Sequence, residues 1–358
     1  MSTIKKIAAI AGVSTATVSR AFKSPEKVSV STRNKVERAV TNAGYYSNAL
    51  FRNIKRTESR TILVCVPNFG ETFFDDIIKG ITEIALKKDY QVLINDSAQN
   101  KGRLNPFTIA RQIAGIVFLG SNFPLNLTEA SRQYLPPIVM VNEFISQFNL
   151  PTVHIDNLAA SFNATNYLHY KLGHRRIACI SGIESHLFCQ NRLQGYIQAL
   201  HRSNIPLQKN YIIKSDFGYG AGAQSFKKLM ALPKPPTAIF CHNDLLAVGA
   251  IYQAKKQGIA VPNDVSIMGF DDLKLSEYID PALTTVSTPR HKMGEKAAEL
   301  LLAHLDEHKI AKGSYLLESS LLVRESTGYL KKPEFRIRNS NSEMITLESA
   351  SHKWTMPV

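Results

Sequence analysis

Thr15, Ala16, Ser19 and Arg20 lie within the run AGVSTATVSRAF, residues 11–22, near the start of the chain. Wound as a helix, they fall on one face at i, i+4 spacing, while Val18, Ala21 and Phe22 fall on the opposite face and would pack inward. The first face carries little bulk, offers hydroxyls and a methyl, and ends in a guanidinium. That chemistry suits the major groove of DNA: hydroxyls for phosphates or base edges, a methyl against thymine, and arginine for guanine O6 and N7. The plain alternative is a small, polar surface helix; the basic surroundings and a further capped helix weigh against it.

A second set of polar residues sits where apolar runs end: Asn68, Ser121, Asn142 and Asp271. In open parallel sheets ligands bind beyond the carboxyl ends of the strands, and a polar ligand needs such groups in its walls. Each residue alone would be a turn or a helix cap; their recurrence points to a cleft. Catalysis is not indicated. His242 and Asp244 flank Asn243, and His174 precedes Arg175 and Arg176, but neither group has a catalytic spacing, and G-x-S-x-G, P-loop and His-rich metal patterns are absent. The four cysteines are scattered, three of them inside apolar runs, and read as small core residues rather than disulfides or zinc ligands. The expectation is therefore no catalytic residue, no metal and no cofactor.

The elements that must hold these residues divide the chain. Residues 1–46 read as three short helices: Ile4, Ile7, Ala8 and Ala11 inward, a break at Gly12, Thr15 to about Phe22 capped by Ser14, and a third capped by Ser31 and stopped by Gly44. Residues 47–60 are a basic hinge or linker. Residues 1–60 hold 12 Lys and Arg against 3 Asp and Glu, most of the whole chain's net +14, so a polyanion-binding head is joined to a near-neutral body. From Thr61 apolar runs alternate with amphipathic helices (Phe73–Asp89, Leu158–Leu172, Arg192–Asn204, Leu245–Gln257), which means parallel sheet covered on both faces, in two similar lobes. Residues 329–358 lack period and apolar density and read as a loosely ordered tail that includes Trp354. No apolar run is long enough to span a bilayer, and Ile7–Val13 is too short for a signal-peptide core, so a cytoplasmic location is expected.

The head, through AGVSTATVSRAF, VSVSTRNKVERAV and AGYYSNALFRNIKR, resembles the DNA-binding domain of the LacI family of bacterial repressors, and IMGFDD and DPALTTVSTPR follow the same family's core. The resemblance implies a small all-α helix-turn-helix head plus an α/β periplasmic-binding-protein-like core of two doubly wound parallel-sheet lobes. It places the first lobe at about 61–157 and 289–318, and the second at about 158–288 and 319–328. It also implies a homodimer on a pseudo-palindromic operator, with Thr15, Ala16 and Arg20 reading bases and Ser14, Ser19, Ser29 and Thr32 touching phosphates. The hinge departs from the family: Ser47 stands where many members have proline before Asn48, and Ile54 where many insert leucine into the minor groove. Ile54 as an apolar wedge and a flexible basic linker both remain open.

In the cleft the resemblance assigns Asp271 and Arg192 to ligand hydroxyls or ring substituents. Phe217 would stack on the ligand, Phe73 and Phe74 would line the opposite lobe, and Asn142 and Asn243 would complete the polar wall. Aromatics stack on a base, a carboxylate accepts from two ribose hydroxyls, and arginine donates to a pyrimidine carbonyl. A sugar would satisfy nearly the same groups. Long matching runs such as STATVSRA, NRLQGYIQAL and PKPPTAIFCHND are similar to the nucleoside-responsive members, which implies cytidine as effector and cooperation with the cyclic-AMP receptor protein at promoters. A periplasmic transport receptor would lack the basic head; a nucleoside hydrolase is the remaining rival. The lack of C-terminal leucine heptads argues for a dimer rather than a tetramer.

Overall fold

The computed structural model describes residues 3–23, 27–42, 59–97, 112–120, 135–143, 150–307 and 313–330. The head has three helices, α1 (Thr3–Ala11), α2 (Thr15–Lys23) and α3 (Val30–Asn42). They enclose a small core of their own, made by Ile7, Ala8, Ala11, Val18, Ala21, Val36 and Ala39. Gly12 takes φ +64 between α1 and α2, a left-handed turn that glycine adopts without steric cost. Ser14 caps α2, accepting from Thr17 N–H at 3.0 Å. The cap of α3 is Ser29, not Ser31: its hydroxyl accepts from Thr32 N–H at 3.3 Å, so the helix begins one residue before the expected cap.

The body holds two six-stranded sheets. The first has the order β11-β5-β4-β3-β1-β2, built from β1 (Thr61–Val66), β2 (Gln91–Asp96), β3 (Gly115–Leu119), β4 (Ile138–Val141), β5 (Thr152–Ile155) and β11 (Ser314–Leu317), all parallel. The second, β12-β10-β9-β8-β6-β7, comprises β6 (Ile177–Ser181), β7 (Ile212–Lys214), β8 (Ala238–Cys241), β9 (Ser266–Asp271), β10 (Thr284–Ser287) and β12 (Ser320–Leu322); only β12 runs antiparallel. Strands β3, β4, β6, β8 and β9 are buried along their whole length, as strands apolar on both faces require.

Helix α4 (Asp75–Leu86) and helix α9 (Arg290–Glu307) cover the first sheet, where Ile77, Ile81, Met293, Ala297 and Leu301 meet Ile62, Val64, Val117 and Val139. Their backbones touch through two glycines. A Cβ on Gly80 would stand 2.2 Å from His291 O, and one on Gly294 would stand 2.0 Å from Ile77 O, so only glycine admits this approach. The second sheet is covered by α5 (Asn157–Asn166), α6 (Leu187–Arg202), α7 (Tyr219–Met230) and α8 (Asp244–Lys256). The chain passes from one sheet to the other after Ile155, after Ser287, and between Leu317 and Ser320. Among the described residues no helix is long and apolar enough to cross a membrane. The free cysteines are all buried. The hinge residues 47–58, including Ile54, and the tail from 331 lie outside the described residues.

Candidate nucleic-acid face and effector cleft

On α2, Val18 and Ala21 are buried against the head's core, which leaves Thr15, Ala16 and Arg20 exposed and Ser19 half-buried on the outer face. Ser14 and Ser29 are engaged as caps, and each also shares a hydrogen bond with a hydroxyl three residues on, Thr17 and Thr32, at 2.9 Å. Each serine hydroxyl keeps one lone pair or proton toward the outside.

The second lobe contributes a buried ionic knot to the cleft. Asp271 ends β9 with φ +108, and Asn142 follows β4 of the first lobe with φ +79. Aspartate and asparagine tolerate such backbone better than other side chains, and residues held there cluster at functional sites. Arg192, 2% exposed, rises from α6 to Asp271. Its Nη2 donates to Asp271 Oδ1 at 3.1 Å, its Nε to Asn157 Oδ1 at 2.8 Å, and its Nη1 to the His242 carbonyl. The guanidinium carbon lies 3.6 Å from the Phe270 ring centroid and 5.1 Å from that of Phe188. With three of its five N–H groups engaged, the arginine holds Asp271 in place. Burial holds the Asp271 carboxyl above the usual carboxylate range, against the pull of Arg192 and Arg290.

Phe217 stacks on Phe188 at 5.8 Å and 24°, with His186 edge-on at 5.8 Å, so an aromatic wall stands beside the knot. Asn243 is committed locally: its Oδ1 caps α8 through Leu246 N–H at 2.8 Å and its Nδ2 donates to the Phe217 carbonyl at 3.2 Å. It thereby ties the stacking loop to the helix. Phe74 is buried in the core of the first lobe, whereas half-buried Phe73 meets it edge-on at 5.1 Å and lies 6.0 Å from the Arg290 guanidinium. Ser121 lies outside the described residues, and Asn68 is exposed past the end of β1.

Sequence reasoning missed residues that join the lobes. Arg290, buried at the start of α9, donates to the carbonyls of Asp271 and Asp272 and to Asp76 Oδ2 at 2.7 Å. Glu143, beside Asn142, accepts from Leu187 N–H in the first turn of α6 at 2.7 Å. Beneath the knot lies Asp244, fully buried, accepting from Leu273 N–H, Ser276 Oγ and Thr285 Oγ1 at 2.6–2.8 Å. Burial, then the charge of Asp271, pushes its carboxyl up to about 7.

The histidines considered for catalysis are wired into the fold. His242 is fully buried; burial, with Arg192 adding, lowers its pKa well below the ordinary value, so the ring is neutral. Its Nδ1 accepts from Gly182 N–H at 3.3 Å, which places the proton on Nε2, facing Cys179 Sγ at 3.4 Å. His174 bonds Thr237, Ser266 and the Gly328 carbonyl at 3.0–3.1 Å. Glu83, His291 and Glu295 have ligand atoms within 4.8 Å of one another on the α4–α9 face, where His291 faces both carboxylates at 3.2 and 3.7 Å.

Residues 3–48 match the bacterial regulatory proteins of the lacI family, and residues 167–327 match the periplasmic binding protein-like domain. The HTH-type transcriptional repressor CytR of Escherichia coli K12 is 48% identical over 328 residues, covering 91% of this chain and 96% of that protein. The chain belongs to the LacI family. Within that family, catabolite control protein A of Priestia megaterium is 32% identical over 91% of this chain and 99% of its own length. Among solved structures, a transcriptional regulator CelR–cellobiose complex superposes with a TM-score of 0.68 at 29% identity, covering 91% of this chain and all of that one. Like these LacI-family regulators, the chain joins a helix-turn-helix head to a two-lobed α/β core built to bind a ligand.

Proposed function

We propose that this protein is a dimeric transcriptional repressor whose operator binding is relieved by a nucleoside, cytidine first, held between the lobes. The observation that carries the reading is the Arg192–Asp271 knot beside the Phe188–Phe217 wall. Asp271 Oδ2 accepts from ribose hydroxyls, the remaining Arg192 N–H groups donate to a base carbonyl, and Phe217 covers the base. The identity with CytR supports a nucleoside over a sugar. The head supplies the DNA contacts: Thr15, Ala16 and Arg20 at base edges, and Ser14, Ser19, Ser29 and Thr32 at phosphates, with Ile54 as hinge wedge. A second copy covers the exposed Leu93 and Ile94 of β2, the edge strand of the first sheet, so that two heads meet two half-sites. Ligand closure of the lobes shifts the hinges and lowers operator affinity; by linkage, operator weakens effector binding by the same factor. The protein acts in the bacterial cytoplasm on the nucleoid, alongside the cyclic-AMP receptor protein at shared promoters, and it performs no catalysis.

Calorimetric titration with cytidine, against adenosine, ribose and a hexose, tests the effector. Saturable binding of cytidine that also releases operator DNA supports the reading. Binding of a sugar instead replaces the effector and leaves the repressor. Conversion of cytidine to uracil, cytosine or free ribose would overturn the non-enzymatic assignment.

A further inference from the structure

Building on the nucleoside reading above, we infer that Glu143 selects a base bearing an exocyclic amine over its carbonyl counterpart: cytosine over uracil, adenine over hypoxanthine. Glu143 follows the positive-φ Asn142 at the end of β4, in the first lobe, and its Oε1 accepts from Leu187 N–H of α6 in the second, at 2.7 Å. The carboxylate therefore spans the cleft. The next residue of α6 is Phe188, the ring that stacks on Phe217 and lies under the Arg192 guanidinium. Cys189, buried, follows in the same turn of the helix.

Glu143 is 4% exposed, and its second oxygen, Oε2, is buried and finds no hydrogen-bond partner among the described residues. A buried acceptor left unmatched is unfavourable, and such groups in native proteins call for an explanation. One charged oxygen is satisfied by the positive end of α6, and the other is left as a lone-pair acceptor beside an aromatic wall. The complement is a flat ligand that presents an N–H donor from its rim. The amines of cytosine and adenine do so. Uracil and hypoxanthine place a carbonyl at the same position, so that oxygen would face oxygen. Asp271 holds the ribose hydroxyls that all nucleosides share, and Arg192 holds the ring carbonyl that cytosine and uracil share; Glu143 is the group that tells those two bases apart.

The test is calorimetry on the full-length protein with cytidine and uridine, and with adenosine and inosine as a second pair, for wild type, Glu143→Gln and Glu143→Asp. In Glu143→Gln the amide oxygen still accepts from Leu187 N–H, and the amide NH₂ becomes a donor where the carboxylate only accepted. The wild type is expected to favour cytidine over uridine by about 100-fold or more. Glu143→Gln should bring that ratio to within about tenfold, by weakening cytidine and strengthening uridine. Glu143→Asp, shorter but still charged, should weaken cytidine and keep the direction of preference. The readout is a ratio within each folded variant, so a general loss of stability does not imitate it. An unchanged ratio in Glu143→Gln overturns the role of Glu143 and leaves the nucleoside reading standing. A wild type that binds ribose or a hexose but no nucleoside overturns both.

Discussion

Arg290 and Asp76, 214 positions apart, meet at 2.7 Å, with the buried guanidinium also holding the carbonyls of Asp271 and Asp272. One side chain thus grips the end of β9 and the first turn of α4, so Asp271 and the opposite lobe share a partner. Asp76 is half exposed, and a pair of that kind contributes little to global stability, about 1 kcal/mol or less. Asp76→Ala should therefore melt within a few degrees of wild type, yet weaken effector binding about fivefold while leaving operator affinity without effector unchanged. Paired thermal melts and titrations check this; equal effector affinity would show that the bridge plays no part in closing the lobes.

Arg20→Ala should remove the preference for operator over unrelated DNA at the base that Arg20 reads, a discrimination of about 1–3 kcal/mol. Binding to any DNA should persist and keep its steep salt dependence, because phosphate contacts supply that term. Effector binding should be untouched. Competition gel shifts against scrambled DNA measure it, and a retained preference would refute the recognition face.

Asp271→Ala should give a repressor that holds its operator and ignores its effector. It strands Arg192 as a buried cation without its counter-charge, so a stability loss of about 3–5 kcal/mol is expected as well. Acid should act on the same group. Burial holds the Asp271 carboxyl above the usual range, so effector affinity should decline on acidification at a higher pH than an exposed aspartate would dictate. Unimpaired affinity down to about pH 4 would argue against an ionised Asp271 in binding.

Asp244 sets a pH dependence of stability with the opposite sign to most carboxylates. Its pKa rises on folding from 3.8 to about 7. The folded state then holds the proton more tightly than the unfolded one, so this group's contribution is greatest below its unfolded pKa and declines as pH rises toward 7. The stability difference between wild type and the non-titrating Asp244→Asn should shift against wild type by up to about 4 kcal/mol across that window. Denaturant melts of both proteins at several pH values measure it; a pH-independent difference would mean that Asp244 is ionised throughout.

The head and the alternating body were legible because their patterns are local. Helix α2 follows from Ser14 and the spacing of Val18 and Ala21, and β3, β4, β6, β8 and β9 from unbroken apolar runs. The less regular pieces were not. Helix α6 begins at Leu187 rather than Arg192, because His186, a weak cap in sequence terms, ends the preceding turn. Helix α7 opens on YGAGA, where Gly222 admits α8: a Cβ there would stand 2.1 Å from Leu246 O. Strand β10, TTVS, is short and rich in threonine and serine, and β12, SLL, is only three residues long. Helix α9 had a readable signal in Met293, Ala297, Ala298 and Leu301, four positions on one face.

In the cleft, the strand-end rule located Asn142 and Asp271. It stopped one residue short of Glu143 and had no means to find Arg290 or Asn157, whose partners are tens to hundreds of positions away. Arg192 was singled out as a ligand group, and only the fold reveals that it first serves Asp271.

The last strands also fix the order in which the molecule is made. β11 completes the first sheet at Leu317 and β12 the second at Leu322, so the pair of sheets is not whole until Leu322 has been synthesised, whereas the head's core closes within residues 3–42. At about 5–20 residues per second, roughly 14–56 seconds separate the two events. During that interval a folded DNA-reading head trails an unfinished receiver, able to touch the chromosome but deaf to the metabolite that governs it. A chain cut short before β12 would remain in that condition permanently.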